Sequence, residues 1–343
     1  MIGLKDFVDK SMAKIAIIGT TTWGTTLGII NARENREVML LARTSSEARE
    51  LQTENENQRF VPGVPFPETI IITSSPKEAI ENSDLIIFAV PAASLRKNAT
   101  QLSSVISPEK IAISATKGLE PKTGKRMTVV LQEELDLTEN NICVMSGPNL
   151  AKEIIVGKPS STVIASTDEA TATYAQTFLN SSNLRVYTNR DVIGVELAGA
   201  LKNIVAIAAG ISDGLGFGDN AKASIITRGL AEISRLGVSL GANPATFAGL
   251  AGMGDVIATC SSKLSRNNSL GRMLASGMSL EDITDAMENI AEGIGTTQEV
   301  VQIAETMNID IPLTKSVYSV LFDGVTPLDA VAELMGRSPT SEL

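Results

Sequence analysis

The first half of the chain alternates short apolar runs, rich in Ile and Val, with amphipathic segments. Strands buried on both faces of a sheet give such continuous apolar runs, and the segments between them are long enough for helical crossovers. The pattern therefore predicts a parallel sheet covered by helices. The predicted strands are KIAIIG at 14, EVMLLA at 37, ETIIIT at 68, DLIIFAV at 84, KIAISAT at 110 and NICVMS at 141, with STVIAS at 161 and NLRVYT at 183 extending the same sheet.

The composition and the hydrophobic spacing of the sequence change close to residue 189. From Asp191 onward, long stretches rich in Ala, Gly and Leu carry helical spacing without the punctuation of strands. A chain of 343 residues is long enough for two domains, each with its own core. We therefore predict an α/β domain over residues 1–188 and a helical domain over residues 189–343.

The composition excludes several kinds of function. The net charge is −10, which disfavours a nucleic-acid partner or an anionic membrane surface. The chain has no histidine, so Ser-His-Asp chemistry, histidine-bound metals and a histidine base are all excluded. Its two cysteines are too few for a disulfide framework or a cysteine metal cluster. We expect no metal site, and any proton transfer must use Lys, Asp, Glu, Tyr or Cys.

The sequence also predicts where the protein works. The opening stretch MIGLKDFVDKSMAK mixes charged and apolar residues and lacks the apolar core of a secretory signal. Uninterrupted apolar runs such as LIIFAV at 85–90 are far too short to span a membrane. We expect a cytoplasmic protein without stable membrane insertion.

The stretch IAIIGTTTWGTTLG at 15–28 joins the first predicted strand to a predicted helix. Gly19 permits a tight turn and Gly24 permits close packing of helix on strand, as in the G-x-G-x-x-G turn of dinucleotide sites. Thr21 stands where that turn has its middle glycine, so we expect weaker or shifted cofactor binding, with a hydroxyl able to donate to a phosphate. Taken alone, the stretch also fits an ordinary strand-to-helix turn.

The end of the second predicted strand bears on the choice of nucleotide. NAD-selective sites place an acidic residue there, whereas this chain has Arg43 followed by Thr44, Ser45 and Ser46. A guanidinium flanked by hydroxyls suits a ribose 2′-phosphate. A solvated surface arginine is an equally good interpretation of this stretch by itself.

Two isolated charges mark the helical half. Lys202 is the single charged residue of LAGALKNIVAIAAGI at 197–211, and burial disfavours its ammonium form, which suits a lysine that exchanges protons. Asp255 is the only charged residue between Arg235 and Lys263, so it needs a cationic partner, for which Lys202 is the candidate. The alternatives are a lysine whose stem reaches water and an aspartate that caps a helix.

Three further segments carry polar groups that suit an anionic ligand. Ser265, Arg266 and Asn267 precede or open a helix, where hydroxyl, guanidinium, carboxamide and free amides make a phosphate cradle, or merely a cap. Lys117 in ATKGLE and the segment SGPNLAKE at 146–153 each follow a strand, at the edge where open parallel sheets bind ligands. Single occurrences of such segments are usually plain turns.

Taken together, these segments resemble the bacterial NAD(P)-dependent glycerol-3-phosphate dehydrogenases, and the resemblance covers nearly the whole chain. The segments are the G-x-x-x-W-G turn, DLIIFAVP, ATKGLE, SGPNLAKE, GVELAGALKNIVAIAAGISDGLGFGDNAKASIITRGLAE, TFAGLAGMGDVIATCSSKLSRN and AEGIGTT. The resemblance implies an α/β N-terminal Rossmann-type dinucleotide-binding domain followed by an all-α C-terminal domain like that of 6-phosphogluconate dehydrogenase. It also implies reversible reduction of dihydroxyacetone phosphate to sn-glycerol 3-phosphate for phospholipid synthesis, in a homodimer.

The resemblance also assigns roles to residues. It implies Lys202 as the proton-transferring lysine, with Lys117 and Asp255 beside it. Substrate contacts fall on Lys117, Gly147, Asn149, Lys202, Asp255, Ser265, Arg266 and Asn267. Cofactor contacts fall on Gly19, Thr22, Trp23, Gly24, Arg43, Lys117, Ala151, Arg266, Ile290 and Glu292. With Arg43 at the ribose, NADP(H) is the favoured cofactor and NAD(H) a possible one.

Two other functions fit parts of the pattern. A related two-domain β-hydroxyacid dehydrogenase takes a carboxylate substrate and has no need of the phosphate cradle at Ser265–Asn267. A non-catalytic NADP(H) sensor would tolerate the altered glycine turn, but it has no need of a proton donor such as Lys202 beside a phosphate site.

Overall fold

The structure is a computed structural model that describes residues 14–287, 291–339 and 341. It divides into two compact units. The first, which we call the sheet unit, comprises the described chain up to Thr116 together with Thr128–Met145 and Ala151–Arg190. The second, the helical unit, comprises Lys117–Met127, Ser146–Leu150 and the described chain from Asp191 onward.

The sheet unit is built on one sheet of eight strands in the order β10-β9-β8-β7-β6-β1-β2-β5. Six neighbouring pairs are parallel: β1 with β2, β1 with β6, β2 with β5, β6 with β7, β7 with β8 and β9 with β10. The strands are β1 (Lys14–Ile18), β2 (Glu37–Leu41), β5 (Ile70–Thr73), β6 (Leu85–Phe88), β7 (Ile111–Ser114), β8 (Ile142–Ser146), β9 (Ser160–Ala165) and β10 (Leu184–Asn189). All eight predicted strands are confirmed.

The order of strands reverses at β1, because the chain runs outward to β2 and β5 on one side and then returns to β6 on the other. A crevice at such a reversal, outside the carboxyl ends of the strands, is where open α/β sheets bind ligands. The central strands are fully buried; Ile15, Ile17, Leu40 and Ile87 are each 0% exposed. Their burial on both faces explains why the strands read as unbroken apolar runs.

Helices connect the strands, and several begin at a side-chain cap. Thr21, Thr44, Ser75 and Asp168 each accept a hydrogen bond from the amide three residues later. The helices are α1 (Thr22–Ala32), α2 (Ser45–Glu54), α3 (Pro76–Ile80), α4 (Ala92–Leu102), α5 (Met127–Glu134), α6 (Ala151–Ile154) and α7 (Glu169–Leu179), with a 3₁₀ turn at Glu139–Asn141.

A small antiparallel hairpin, β3 (Glu56–Asn57) with β4 (Val61–Pro65), follows α2. The sequence did not predict it, because the two prolines and the glycine of VPGVP are typical of loops. Asn57 ties the hairpin to the first turn of the sheet unit, since its amide donates to the Thr20 carbonyl at 2.9 Å and to the Thr25 hydroxyl at 2.8 Å.

The helical unit is organised around α8 (Val192–Gly214), in which residues 194–212 are all buried. The Asp191 carboxylate caps α8 by accepting from the Gly194 amide at 2.9 Å. The other helices are α9 (Gly218–Ser239), α10 (Pro244–Phe247), α11 (Asp255–Ser261), α12 (Arg266–Ala275), α13 (Leu280–Ala286), α14 (Gly293–Thr306), α15 (Pro312–Phe322) and α16 (Pro327–Met335), with a π-helical turn at Leu250–Gly254.

Helix α12 packs very closely on α8. A Cβ at Gly271 would lie 2.1 Å from the Ile207 carbonyl oxygen, so glycine is required for the two backbones to approach. This contact brings the first turn of α12 alongside the middle of α8, and it therefore matters for the site described below.

Among the described residues, α8 is the one helix long and apolar enough to cross a membrane, with a mean hydropathy of 1.7 over 18 residues. Lys202 and Asn203 interrupt the apolar pattern of α8, so no uninterrupted apolar run within it is as long as the helix itself. Within the helical unit, however, 89% of that window is buried. The composition of α8 is thus that of a core helix.

Candidate active site

The turn from β1 to α1 has the geometry of a nucleotide cradle. Gly19 has φ +111°, and a Cβ there would lie 2.7 Å from Val90 Cγ1. At Gly24 a Cβ would lie 2.1 Å from the Gly19 carbonyl oxygen. Both positions therefore exclude any side chain, and they let the first amides of α1 face outward at the carboxyl end of β1.

Thr21 occupies the remaining glycine position of the turn with ordinary backbone angles, φ −67° and ψ 170°. Its hydroxyl donates to the Ala89 carbonyl at 2.7 Å and accepts from the Gly24 amide at 3.1 Å. The single hydroxyl proton is thus directed at the Ala89 carbonyl, directly after β6. Thr21 serves as the N-cap of α1 and joins it to the neighbouring strand.

Arg43 lies two residues beyond β2, and its side chain is 72% exposed. Its Nε lies 3.4 Å from the Oε2 of Glu47, and its backbone amide donates to the same oxygen at 3.0 Å. The Thr44 hydroxyl accepts from the Glu47 amide at 3.1 Å and so caps α2. The Arg43 side chain is therefore both solvated and paired with Glu47.

Lys202 lies at the centre of the helical unit and is 7% exposed. Its Nζ donates to Asp255 Oδ1 at 2.5 Å and to the Thr259 hydroxyl at 2.6 Å. The alternative of a lysine whose stem reaches water is therefore wrong. The Thr259 hydroxyl in turn donates to Asp255 Oδ1 at 3.1 Å, which fixes the carboxylate and the amine relative to each other.

Asp255 is the first residue of α11 and is 1% exposed. The N-cap of α11 is Gly254, so the alternative of Asp255 as the N-cap residue is wrong. Oδ1 pairs with Lys202 and Oδ2 pairs with Lys117 at 2.6 Å. One carboxylate thus faces two amines, and the three side chains together carry a net charge of +1 when both lysines are protonated.

Lys117 comes from the loop that follows β7, and its side chain is 19% exposed. Its Nζ donates to Asp255 Oδ2 at 2.6 Å and to the Gly147 carbonyl at 2.8 Å. Burial lowers the pKa of Lys117 from 10.5 to about 8; the Asp255 charge opposes that change and the Lys202 charge adds to it. Lys117 therefore loses its proton within the pH range in which enzymes commonly work.

The loop that carries Lys117 is anchored on the helical unit. Arg126 binds the buried Glu196 of α8 at 2.9 Å, and the Lys122 amide donates to Glu299 Oε1 at 2.7 Å. Leu119 is 3% exposed within the core of the helical unit. These contacts hold the ammonium of Lys117 at Asp255, and no sequence pattern predicted this role for Glu196 or Glu299.

The first turn of α12 is tied to α8 beside Lys202. Asn267 donates to the carboxamide oxygen of Asn203, the residue that follows Lys202, at 3.0 Å, and accepts from the Gly293 amide at 3.0 Å. The Ser265 hydroxyl accepts from the Asn268 amide at 3.2 Å, so Ser265 is a cap as the sequence allowed. Arg266 is exposed at the same helix start.

The other predicted site residues divide between the two units. Gly147 and Asn149 lie in the short segment that joins the helical unit, whereas Ala151 opens α6 of the sheet unit. Thr22 and Trp23 are the first two residues of α1. Glu292 directly precedes α14, and Ile290 lies outside the described residues.

The residues of the β1–α1 turn fit a nicotinamide dinucleotide. Gly19 and Gly24 permit a tight turn, the first amides of α1 favour an anion, and the turn lies at the reversal of strand order. Within the helical unit, the cluster of Lys117, Lys202 and Asp255 combines two amines with one buried carboxylate, an arrangement able to donate a proton in a cationic setting.

Comparison with known proteins decides the family. Residues 14–172 match the model of the N-terminus of NAD-dependent glycerol-3-phosphate dehydrogenase, and residues 191–332 match the model of its C-terminus. The chain belongs to the NAD-dependent glycerol-3-phosphate dehydrogenase family. The resemblance drawn from the sequence is confirmed, and so are the Rossmann-like first half and the helical second half.

Similar members of the family come from several bacteria. A glycerol-3-phosphate dehydrogenase [NAD(P)+] of Dehalococcoides mccartyi is 48% identical over 97% of this chain and 93% of its own length. One from Chlorobium phaeobacteroides is 43% identical over 96% and 99%. The crystal structure of glycerol-3-phosphate dehydrogenase from Coxiella burnetii has a TM-score of 0.90 and 36% identity, over 95% of this chain and 100% of that one. The protein is an NAD(P)-dependent oxidoreductase.

Three residues that the sequence did not single out hold predicted site residues in place. Thr259 holds Lys202, Asn203 holds Asn267, and Glu47 holds Arg43. Thr259 and Asn203 are neutral residues and Glu47 is a charged residue of an amphipathic helix, so their contacts are the main evidence for these roles. The spacing of Thr259 from Asp255, four residues along one helix, was the single signal available.

Proposed function

We propose that the protein catalyses the reversible, NAD(P)H-dependent reduction of dihydroxyacetone phosphate to sn-glycerol 3-phosphate, the precursor of the phospholipid backbone. The observation that carries this proposal is the pairing of Lys202 and Lys117 with the two oxygens of one buried carboxylate, Asp255. Such a cluster provides a protonated amine for a developing alkoxide and a positive field for an anionic substrate.

Lys202 is proposed as the proton donor. Asp255 and Thr259 fix its ammonium at 2.5 and 2.6 Å, so its orientation is set before substrate arrives. In the direction of reduction, one N–H bond of Lys202 breaks as the proton passes to the C2 oxygen. Asp255 stabilises the charged amine beforehand, and proton transfer of this kind contributes about 10² to 10⁴ in rate.

Lys117 is proposed to stabilise negative charge at the same oxygen. It shares Asp255 with Lys202, so the carboxylate neutralises only one of the two amines. The surplus positive charge lies in a largely buried place, where screening by water is weak. Charge developing on the C2 oxygen is therefore favoured by this positive field.

The substrate phosphate is assigned to the start of α12. Arg266 supplies an exposed guanidinium there, and the first amides of the helix favour an anion. The bond from Asn267 to Asn203 holds this helix start against α8, one residue from Lys202. The arrangement sets a phosphate site and a proton donor within one unit, which suits a small phosphorylated ketone.

A bound nicotinamide nucleotide supplies the hydride for C2. Gly19 and Gly24 permit the tight turn that is proposed to present the first amides of α1 to its pyrophosphate, and the exposed Arg43 at the end of β2 is proposed to bind a ribose 2′-phosphate, which favours NADP(H) over NAD(H). The contacts of Thr22, Trp23, Ala151, Arg266 and Glu292 with the nucleotide are part of the same proposal.

The test is a spectrophotometric assay of dihydroxyacetone phosphate reduction, run once with NADPH and once with NADH. A panel of 2-keto and 3-keto acids serves as the control for carboxylate substrates. Oxidation of at least one coenzyme with dihydroxyacetone phosphate, and not with the keto acids, is the expected result. No oxidation with either coenzyme would overturn the proposal.

The role of Lys202 is tested by Lys202→Met, which removes the amine and keeps the length of the side chain. Turnover should fall by about 10² to 10⁴, while coenzyme binding persists. Lys315→Met, on the exposed surface of α15, is the matched control and should behave as the unaltered protein. Near-normal turnover of Lys202→Met would mean that another group donates the proton.

We also propose that the protein is cytoplasmic and acts as a homodimer. Cys143 and Cys260 are buried and form no disulfide, which is consistent with a reducing compartment. Sedimentation of the purified protein at several concentrations distinguishes a dimer from a monomer.

A further inference from the structure

We propose that Glu47 is a specificity-determining residue that weakens the preference of the site for a 2′-phosphorylated nucleotide. The proposal rests on the assignment of Arg43 to the ribose end of the cofactor. It adds a counter-charge that the sequence pattern of the β2 end, with its arginine and three hydroxyls, does not reveal.

Glu47 links the β1–α1 turn to the segment that follows β2. Its Oε1 accepts from the Thr20 hydroxyl at 2.6 Å, within the β1–α1 turn. Its Oε2 accepts from the Arg43 amide at 3.0 Å and lies 3.4 Å from the Arg43 Nε. The side chain is 19% exposed, and Thr20 is 5% exposed. The carboxylate is therefore held in place and does not swing freely in solvent.

In this position Glu47 disfavours a ribose phosphate in two ways. The carboxylate neutralises the charge of Arg43, so a 2′-phosphate has to compete with an internal partner. The phosphate also brings nearly two negative charges toward the carboxylate at neutral pH. A nucleotide with a plain 2′-hydroxyl meets neither penalty, and its hydroxyl is able to donate to a carboxylate. Glu47 therefore narrows the difference between NADPH and NADH that Arg43 alone would produce.

The variant Glu47→Gln keeps the size of the side chain and one acceptor oxygen for Thr20 but removes the charge. The affinity for NADPH should rise about 2- to 5-fold relative to that for NADH, a range that fits a partly exposed ion pair. The effect should shrink as salt is added, because screening weakens the repulsion.

Trp23, the single tryptophan of the chain, gives a direct readout of binding. It is the second residue of α1, so energy transfer from Trp23 to a reduced nicotinamide reports occupancy without turnover. The dissociation constants of NADPH and NADH are measured in this way, and the nucleotide's own emission provides a second signal. The quantity of interest is the ratio of the two constants.

Two variants control for charge and for structure. Glu50→Gln removes the same charge from an exposed position on α2 and should leave the ratio unchanged. Thr20→Val breaks the bond to Oε1 but keeps the Glu47 charge, so it should change both constants together and not their ratio. In a protein that already carries Arg43→Gln, Glu47→Gln should have a smaller effect on the ratio.

The outcomes separate the inference from the proposed function. If the unaltered protein binds neither nucleotide, the proposed function itself fails. If it binds both and Glu47→Gln leaves the ratio unchanged, or shifts it toward NADH, only the role of Glu47 is overturned. A thermal melt of each variant confirms that the ratio is measured on folded protein.

Discussion

The Lys202 ammonium lies 2.5 Å from Oδ1 of Asp255, and both side chains are at least 90% buried. The pair does not stand alone, because Lys117 occupies the other oxygen of the same carboxylate. Two like charges are thus held together by one opposite charge inside the helical unit. The stability of this arrangement and its readiness to give up a proton depend on the same carboxylate.

Removal of that carboxylate should destabilise the protein. Asp255→Asn leaves two buried amines facing each other without a counter-ion, and loss of one member of a buried ion pair costs about 3 to 5 kcal/mol. Adding Lys117→Met should restore part of the loss, because it removes one of the two like charges. Thermal melts and urea denaturation measure both effects, with Asp323→Asn on the exposed end of α15 as the control.

The two changes at the cluster should therefore not add. If the losses of stability from Asp255→Asn and Lys117→Met add up in the double variant, the two amines do not interact through the carboxylate.

Sequence patterns predicted the strands because a strand buried on both faces of a sheet is an almost continuous run of apolar residues. Runs such as KIAIIG and DLIIFAV contain little besides apolar residues, and they became the central strands β1 and β6. The hairpin of β3 and β4 escaped prediction, since it is short, exposed and rich in proline and glycine. Its pairing depends on contacts such as those of Asn57, which no local pattern encodes.

The contacts of the candidate site likewise include some that the sequence predicted and some that it did not. Lys202 and Asp255 stood out because a charge in an apolar stretch needs a partner, and their pairing follows from that need alone. The second partner, Lys117, lies 138 residues from Asp255 in the chain, and nothing in its own segment points to that contact. The contacts of Thr259 and Glu47 are likewise tertiary, so the sequence leaves them indistinguishable from other polar residues.

Reduction of dihydroxyacetone phosphate should weaken above about pH 8, where Lys117 loses its charge. The native pKa of Lys117 is about 8, so the ammonium is present below this pH and is lost as the pH rises through it. The positive field on the substrate is lost with it, and kcat/KM should fall on the alkaline side. In Lys117→Arg, whose guanidinium stays charged, that fall should move to higher pH.

The comparison depends on the shape of the pH profile rather than on absolute rates, because arginine differs from lysine in geometry. Profiles of kcat/KM for the two proteins between pH 6 and pH 10, a range of about two units on either side of the Lys117 pKa, provide the measurement. Superimposable profiles would assign the alkaline fall to another group.

Two glycines of helix α1 should respond in opposite ways to the same substitution. Gly24→Ala places a Cβ 2.1 Å from the Gly19 carbonyl oxygen, so the turn must shift, with a cost of about 1 to 3 kcal/mol and loss of coenzyme binding. Gly28→Ala places its Cβ 3.7 Å from Ile17 and Val38, an ordinary contact, and should stabilise the helix by roughly 0.5 to 1 kcal/mol.

Thermal melts and coenzyme titrations on the two variants measure the contrast. Equal effects at the two positions would show that the close approach of α1 to β1 at Gly24 is not what the nucleotide turn requires.

Thr21→Gly should lower the Michaelis constant for the coenzyme and leave that for dihydroxyacetone phosphate nearly unchanged. The side chain stands where dinucleotide turns usually bring bare backbone to the pyrophosphate, and glycine removes it. The backbone angles of Thr21 suit any residue, so the conformation itself does not need glycine. Loss of the cap on α1 costs only a few tenths of a kcal/mol with glycine in its place.

Two further variants separate the methyl group of Thr21 from its hydroxyl. Thr21→Ser keeps the bonds to Ala89 and Gly24 and removes the methyl, so it should already lower the Michaelis constant if bulk is the obstacle. Thr21→Val keeps the bulk and loses the cap, which should destabilise α1 by about 1 kcal/mol without tightening coenzyme binding. If Thr21→Gly leaves the coenzyme constant unchanged, the turn has already adapted to threonine, and the hydroxyl's bond to Ala89 is the means by which it has done so.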